Sequence, residues 1–285
     1  MTGQKVSSKS SETAGAPSDT LRLGLVQSRY FGSVSETIEA ARRGVLEAVR
    51  RGAELICLQE LYSGPYFCQS EDPDAFTYAE SCQGQSVAAM RALAQEYHVS
   101  INIPFFESRA PGLFHNSSVI ALPNGKLVGH YRKMHIPDDP QFMEKYYFTP
   151  GDRGFVAVST PGVKVGPLIC WDQWYPEAAR LTAMKGAQVL LYPTAIGWLA
   201  GEKEAEGEAQ LQAWQTMQRS HAIANGVFVA AVNRVGLEPH PRDGRDAGIE
   251  FWGHSFVVDP TGRMIAEAGE DEEVLVVDCD LSLIG

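Results

Sequence analysis

The sequence predicts an α/β fold in which two packed β-sheets carry helices on their outer sides, formed as a single domain. Three observations carry this prediction. Short apolar runs alternate with segments of helical apolar spacing over residues 21–106. The same alternation returns over residues 163–233. Between and after these stretches, strands follow one another across turn sequences, as strands at the margins of a sheet do. No internal repeat and no mid-chain linker divides the 285 residues.

Residues 1–20, rich in Ser, Thr, Gly and Lys, lack the apolar stretch of a signal peptide and are expected to form a disordered tail. Residues 21–27 read as a first strand. Ser35 is a candidate cap for a helix whose apolar positions Ile38, Ala41, Val45 and Ala48 share one face. Residues 55–58 form a short buried strand that runs into Gln59 and Glu60. A helix over 86–97 leads to a strand over 99–106. Residues 117–122 and 127–132 flank the hairpin signal Asn124-Gly125, and Lys133 ends the second of them. Residues 135–152, rich in Pro, Asp and aromatics, contain Glu144. So long an irregular connection suits a pocket wall. A strand over 155–159 and an apolar run over 163–169 that stops on Cys170 come next, then a helix over 176–185 and a strand over 189–192. Residues 194–208 are expected as a loop, and residues 209–225 as a helix closed by Gly226. Strands over 227–233, 255–259, 264–268 and 273–278 complete the chain, with a turn at Asp259-Pro260-Thr261-Gly262.

Composition narrows the function. The chain is 44% hydrophobic and 21% charged, which suits a globular protein with a large core. No apolar run approaches the roughly 20 residues of a membrane span. The net charge of −11, with no basic stripe, argues against nucleic acid and is compatible with a cationic small substrate. Five scattered cysteines, Cys57, Cys68, Cys82, Cys170 and Cys279, give no disulfide framework and suit a reducing compartment, the cytoplasm. His115, His130 and His135 lie near one another without the spacing of a metal motif, so no metal is expected.

The chemistry-bearing residues stand at strand ends. Glu60, Lys133 and Cys170 each follow a strand-like run, and open α/β sheets bring such ends together. Taken singly, each has an ordinary structural explanation. Together they match amide hydrolysis. Cys170 would attack, Glu60 would accept its proton and later donate one, and Lys133 would favour the thiolate and stabilise the oxyanion beside a backbone N–H near Trp171. Glu144 would position Lys133 or assist with water.

The strings Leu58-Gln59-Glu60-Leu61, Tyr131-Arg132-Lys133-Met134-His135-Ile136-Pro137 and Leu168-Ile169-Cys170-Trp171-Asp172 resemble, in order, the three catalytic motifs of the nitrilase, or carbon–nitrogen hydrolase, superfamily. The resemblance extends over residues 21–281, the expected hydrolase domain. It implies a four-layer α-β-β-α sandwich, no cofactor, and hydrolysis through a cysteine-bound, thioester-type intermediate. Glu144 falls where members carry a second glutamate. The resemblance further implies a homo-oligomer built from dimers. The resembling enzymes continue beyond the last strand with a segment that packs at subunit contacts, whereas this sequence stops at Gly285.

Within the superfamily, residues 170–180, 194–198 and 218–226 are similar to a branch that hydrolyses N-carbamoylputrescine to putrescine, carbon dioxide and ammonia in polyamine synthesis. That cationic ureido substrate has a planar head, a four-carbon stem and a terminal ammonium. Tyr62, Trp171, Trp174 and Trp198 are expected to wall the stem. Glu177, Asp152 and Glu202 are the candidates for the acid that meets the ammonium. Two rivals remain open: a β-ureidopropionase-like amidase, which would want an Arg at the far wall for a carboxylate, and a catalytically idle binding protein of the same fold.

Overall fold

Neighbouring residues of one strand enter different cores here, because side chains alternate across a sheet, and that sets the layers. The computed structural model describes residues 19–285, the side chains at 245–247 excepted. Residues 1–18 of the expected tail lie outside the described residues.

Strand β1 (Thr20–Gln27), helix α1 (Val34–Arg50), β2 (Leu55–Leu58), α2 (Gln85–Tyr97) and β3 (Ser100–Ala110) form two successive β-α-β units with parallel pairing. Strands β4 (Leu113–Ala121) and β5 (Leu127–Arg132) extend that sheet antiparallel. After the short helix α3 (Glu144–Tyr147), a second sheet begins with β6 (Val158–Thr160) and β7 (Val163–Pro167). Helix α4 (Pro176–Met184), β8 (Val189–Pro193), the two-residue β9 (Gly197–Trp198), α5 (Glu202–Asn225) and β10 (Phe228–Val232) follow. Here β7, β8 and β10 pair in parallel. A hairpin of β11 (Val235–His240) and β12 (Gly244–Trp252) joins β9 in a small third sheet. Strands β13 (Phe256–Val258) and β14 (Met264–Glu267) finish the second sheet, and β15 (Glu273–Asp280) returns to pair with β1.

Leu55 and Cys57 of β2 meet Val189 and Leu191 of β8, with Phe228 and Ala230 of β10, in the core between the sheets. The intervening Ile56 and Leu58 pack in the core that contains Ile38 and Val45 of α1 and Met90 of α2. On the other side, Leu190, Tyr192, Val229 and Ala231 pack with Ala178 of α4 and Trp214 of α5. The result is an α-β-β-α sandwich, as the motif resemblance implied. Among the described residues, no helix is long and apolar enough to cross a membrane.

Three local expectations are revised. Ser33, not Ser35, caps α1: its Oγ accepts from the Glu36 N–H at 3.2 Å and donates to the Glu36 carboxylate at 2.8 Å, a reciprocal capping pair. Helix α5 starts at Glu202, seven residues before the expected start. Its first turns are held from outside, where Lys203 donates to Glu250 at 2.6 Å and to Glu270 at 2.8 Å. The β11–β12 hairpin went unforeseen, because its Pro-rich, charged sequence alternates too weakly and pairs only by tertiary support.

Candidate active site

The site lies on the seam between the two sheets. Glu60 follows β2 and Lys133 follows β5, both in the first sheet, while Cys170 follows β7 of the second. The structure brings all three together with Glu144.

Glu60 sits in a turn whose next residue, Leu61, adopts a left-handed backbone with φ 48°. Such a conformation persists in a branched residue only when its surroundings enforce it. Buried Arg234 does so, donating to the Leu61 carbonyl at 2.9 Å and the Gly64 carbonyl at 3.0 Å. Arg234 is itself paired with Glu238, whose other oxygen accepts from the Tyr66 N–H at 2.6 Å. The Glu60 carboxylate is fully buried, and its Oε1 accepts from both Asn116 Nδ2 at 2.7 Å and Lys133 Nζ at 2.8 Å. Its Oε2 is buried without a hydrogen-bond partner among the described residues.

Lys133 is held by its backbone as well as its ammonium. Its N–H donates to the Asn116 carbonyl at 2.8 Å, and its carbonyl accepts from Gly151 at 2.8 Å. Position 151 requires glycine, since a Cβ there would collide with the Arg132 carbonyl. The Lys133 Nζ also donates to Glu144 Oε2 at 2.6 Å, and Tyr66 Oη donates to Glu144 Oε1 at 2.9 Å.

Cys170 opens a short 3₁₀ turn, Cys170–Trp174, with its own backbone left-handed at φ 41°. Asp172 anchors that turn. Its fully buried carboxylate accepts from the Ile169 N–H at 3.0 Å, Tyr131 Oη at 2.7 Å and the His135 N–H at 3.1 Å, with the His135 ring at 2.7 Å. Gln173, next along, accepts from Trp214 Nε1 at 2.7 Å and Gln218 Nε2 at 2.9 Å, which ties the turn to α5.

The electrostatics follow from one cation among two carboxylates and a thiol, all buried. Burial alone would lower Lys133, but Glu144 and Glu60 outweigh it and hold the ammonium well above its ordinary value. Burial pushes Glu144 up to about 7, offset by Lys133 and reinforced by Glu60. Burial also pushes the Cys170 thiol up; Glu60 adds to this, and Lys133 offsets it only in part. Burial thus favours the thiol form of Cys170, and Lys133, already paired with Glu60 and Glu144, offsets this only in part.

A cavity of about 380 Å³ opens over Cys170 and Glu144. Trp171, Trp174 and Trp252 line it, together with Asp139, Glu202 and Gln210. Of the residues expected around the substrate, Trp171, Trp174 and Glu202 line this cavity. Four other expected binding residues do not line it. Tyr62 is buried in the first outer core and donates to the Ser86 carbonyl at 2.8 Å, because the left-handed turn at Leu61 sends it there. Trp198 pairs through β9 with β12 and packs edge-on against Trp252 beneath Gly207. Glu177 lies in the first turn of α4 and is exposed. Asp152 is engaged elsewhere, accepting from Arg109 at 2.5 Å and Arg132 at 2.8 Å.

Asn116, Asp172, Tyr66 and Arg234 were not singled out from the sequence, although all position the cluster. Asp172 stood within a quoted motif, so the clue was a carboxylate two residues after the cysteine.

Residues 22–285 match the carbon-nitrogen hydrolase family. The crystal structure of a carbon–nitrogen hydrolase from Helicobacter pylori G27 superimposes with a TM-score of 0.89 at 46% identity, over 92% of this chain and 90% of that one. An N-carbamoylputrescine amidase from Solanum lycopersicum is 44% identical over 253 residues, 88% of this chain and 83% of its own length. A citrullinase from Francisella tularensis is 37% identical over 249 residues, 87% of this chain and 84% of its own.

Proposed function

The chain belongs to the carbon–nitrogen hydrolase family, and from that premise we propose that it hydrolyses the carbamoyl C–N bond of N-carbamoylputrescine, with Cys170 as nucleophile. The observation that carries the substrate reading is the cavity lining beside Cys170. It presents the carboxylates of Asp139, Glu144 and Glu202 and, among the described residues, no Lys, Arg or His. A cation-ended ureido chain fits that wall, whereas a carboxylate-ended one would meet only like charge. Glu144 is already committed to Lys133 and Tyr66, which leaves Asp139 and Glu202 for the ammonium. Trp171 and Trp174 flank the apolar stem.

The chemistry runs through the unpartnered oxygen of Glu60. As Cys170 Sγ attacks the carbamoyl carbon, its proton passes to Glu60 Oε2. Lys133 and the N–H of Trp171 stabilise the oxyanion that forms. Glu60 then gives the proton to the departing nitrogen, leaving a carbonyl group bound to sulfur. Water, deprotonated by Glu60, releases it. The product is a carbamate, which decomposes to carbon dioxide and the second amine. The tight Glu144–Lys133 pair keeps the ammonium charged throughout.

Five free cysteines support a cytoplasmic setting, where thiols stay reduced. Exposed Leu181 and Met184 on α4, with Ile223 on α5, support an assembly built from dimers.

Ammonia release tests the reading, with N-carbamoylputrescine, N-carbamoyl-β-alanine and L-citrulline compared side by side. Release is expected chiefly from the first, and Cys170→Ala should lower it about 10⁴-fold or more, as loss of a nucleophile does. Preference for N-carbamoyl-β-alanine would overturn the substrate assignment, and turnover retained in the variant would overturn the nucleophile.

A further inference from the structure

Outside the lining of the Cys170 cavity, three side chains from separate stretches meet. Cys82 precedes α2, Glu107 lies on β3 and His130 lies on β5. Their ligating atoms lie within 4.8 Å of one another. The Cys82 Sγ is 3.7 Å from His130 Nδ1, and His130 Nε2 is 3.0 Å from Glu107 Oε2. Glu107 is heavily engaged. Its Oε2 also accepts from Ser117 Oγ at 2.6 Å and Arg132 Nε at 2.8 Å, and its Oε1 from Arg132 Nη2 at 2.7 Å. Its two-point pairing with the Arg132 guanidinium makes it a carboxylate. An ionised Glu107 can only accept, so His130 carries its proton on Nε2. The lone pair on Nδ1 then faces the sulfur.

We propose that Cys82 and His130 bind a thiophilic divalent cation of the zinc class, with Glu107 orienting the imidazole from behind. Zinc bonds of 2.3 Å to sulfur and 2.0–2.1 Å to nitrogen, set at a tetrahedral angle, separate the two ligand atoms by about 3.6 Å. The 3.7 Å found here needs almost no adjustment. A carboxylate bonded to the far ring nitrogen is the outer partner that metal-bound histidines use. Both ligands reach solvent, Cys82 being half-buried and the His130 side chain 19% exposed, so water completes the coordination. The positive charge of Arg132 does not oppose the cation unmatched, since Glu107 and Asp152 both pair with it. Binding breaks the S–H bond of Cys82 and forms a sulfur–metal bond. One proton leaves to solvent per cation, and no electron moves.

Cobalt(II) titrated into the metal-free full chain at neutral pH tests the site. The expected result is one cobalt per chain with thiolate-to-metal charge-transfer absorption, one proton released, and displacement by zinc(II). Cys82→Ser should abolish the absorption while leaving ammonia release intact, which also shows that the variant folds. His130→Gln should weaken binding about 10-fold or more. Cys170→Ser should keep the absorption. Absorption that survives in Cys82→Ser, or vanishes only in Cys170→Ser, overturns the proposal, as does its absence from the native chain. Should Cys82→Ser fail to fold, zinc(II) must slow alkylation of Cys82 in the native chain, and an unchanged rate overturns the site.

Discussion

Arg132 and Lys133 are neighbours in sequence, both buried, and each is bracketed by two carboxylates: Glu107 and Asp152 for Arg132, Glu60 and Glu144 for Lys133. The charge ratio is the same, yet the two clusters behave in opposite ways. Around Arg132, every Glu107 oxygen has donors, and Asp152 faces solvent, held down to about 2 by its arginine partners. Around Lys133, both carboxylates are buried, one oxygen of Glu60 has no donor among the described residues, and Glu144 is pushed up to about 7. What separates the two clusters is burial: Asp152 reaches solvent and Glu107 is saturated with donors, whereas Glu60 and Glu144 are both buried with two donors each.

The largest effects test that separation directly. Lys133→Met should lower kcat about 10²–10³-fold or more, by analogy with lost oxyanion donors. Arg132→Met should instead cost about 3–5 kcal/mol in unfolding free energy, the penalty for stranding a buried charge. Denaturant melts and steady-state rates on both variants would collapse the distinction if the two losses were interchangeable.

Asn116→Ala sharpens the comparison at one atom. It removes a donor from Glu60 Oε1 and lets Lys133 share both oxygens, so kcat should fall about 10-fold or more, the worth of one hydrogen bond to a charged group. KM should move little. A reverse pattern, with KM raised and kcat kept, would move Asn116 from positioning the base to binding substrate.

The smallest effect is a pH dependence of opposite sign in the two clusters. The folded value of Glu144, about 7, lies above its ordinary 4.5. Between those values the folded chain binds more protons than the unfolded one, so this carboxyl's contribution to stability falls as pH rises from about 4.5 to about 7. Glu107 is depressed, so its contribution is present above about 4.5 and is lost as pH falls below it. Unfolding measured at pH 5 and pH 8 should show the native chain losing ground to Glu144→Gln at the higher pH. A constant difference would contradict the raised value.

Much of this was legible in the chain. Strands β1, β2 and β8 are short apolar runs bounded by polar residues, and α1 shows its buried face at helical spacing, so local sequence sufficed. Glu60, Lys133 and Cys170 stood out because a chemically active side chain at a strand end needs little context. Asn116 and Asp172 did not. Inside a strand or a tight turn, a polar residue looks the same whether it faces water or closes a buried network. Tyr62 and Trp198 misled for the converse reason. Aromatic character announces burial but not direction, and direction was fixed by a left-handed turn in one case and a two-residue strand pairing in the other. The early turns of α5, with Gly207 amid acids, carry no apolar stripe, and their helicity depends on Lys203 reaching β12.

The seam between the sheets has a mechanical consequence. Because Glu60 and Lys133 hang from one sheet and Cys170 from the other, their alignment is a thickness, fixed by how Cys57, Leu191 and Ala230 fill the layer between. The proposed reaction centre therefore works as a caliper across the molecule. A methylene removed from that layer, far from any substrate, acts on the gap between proton donor and acceptor before it acts on the fold.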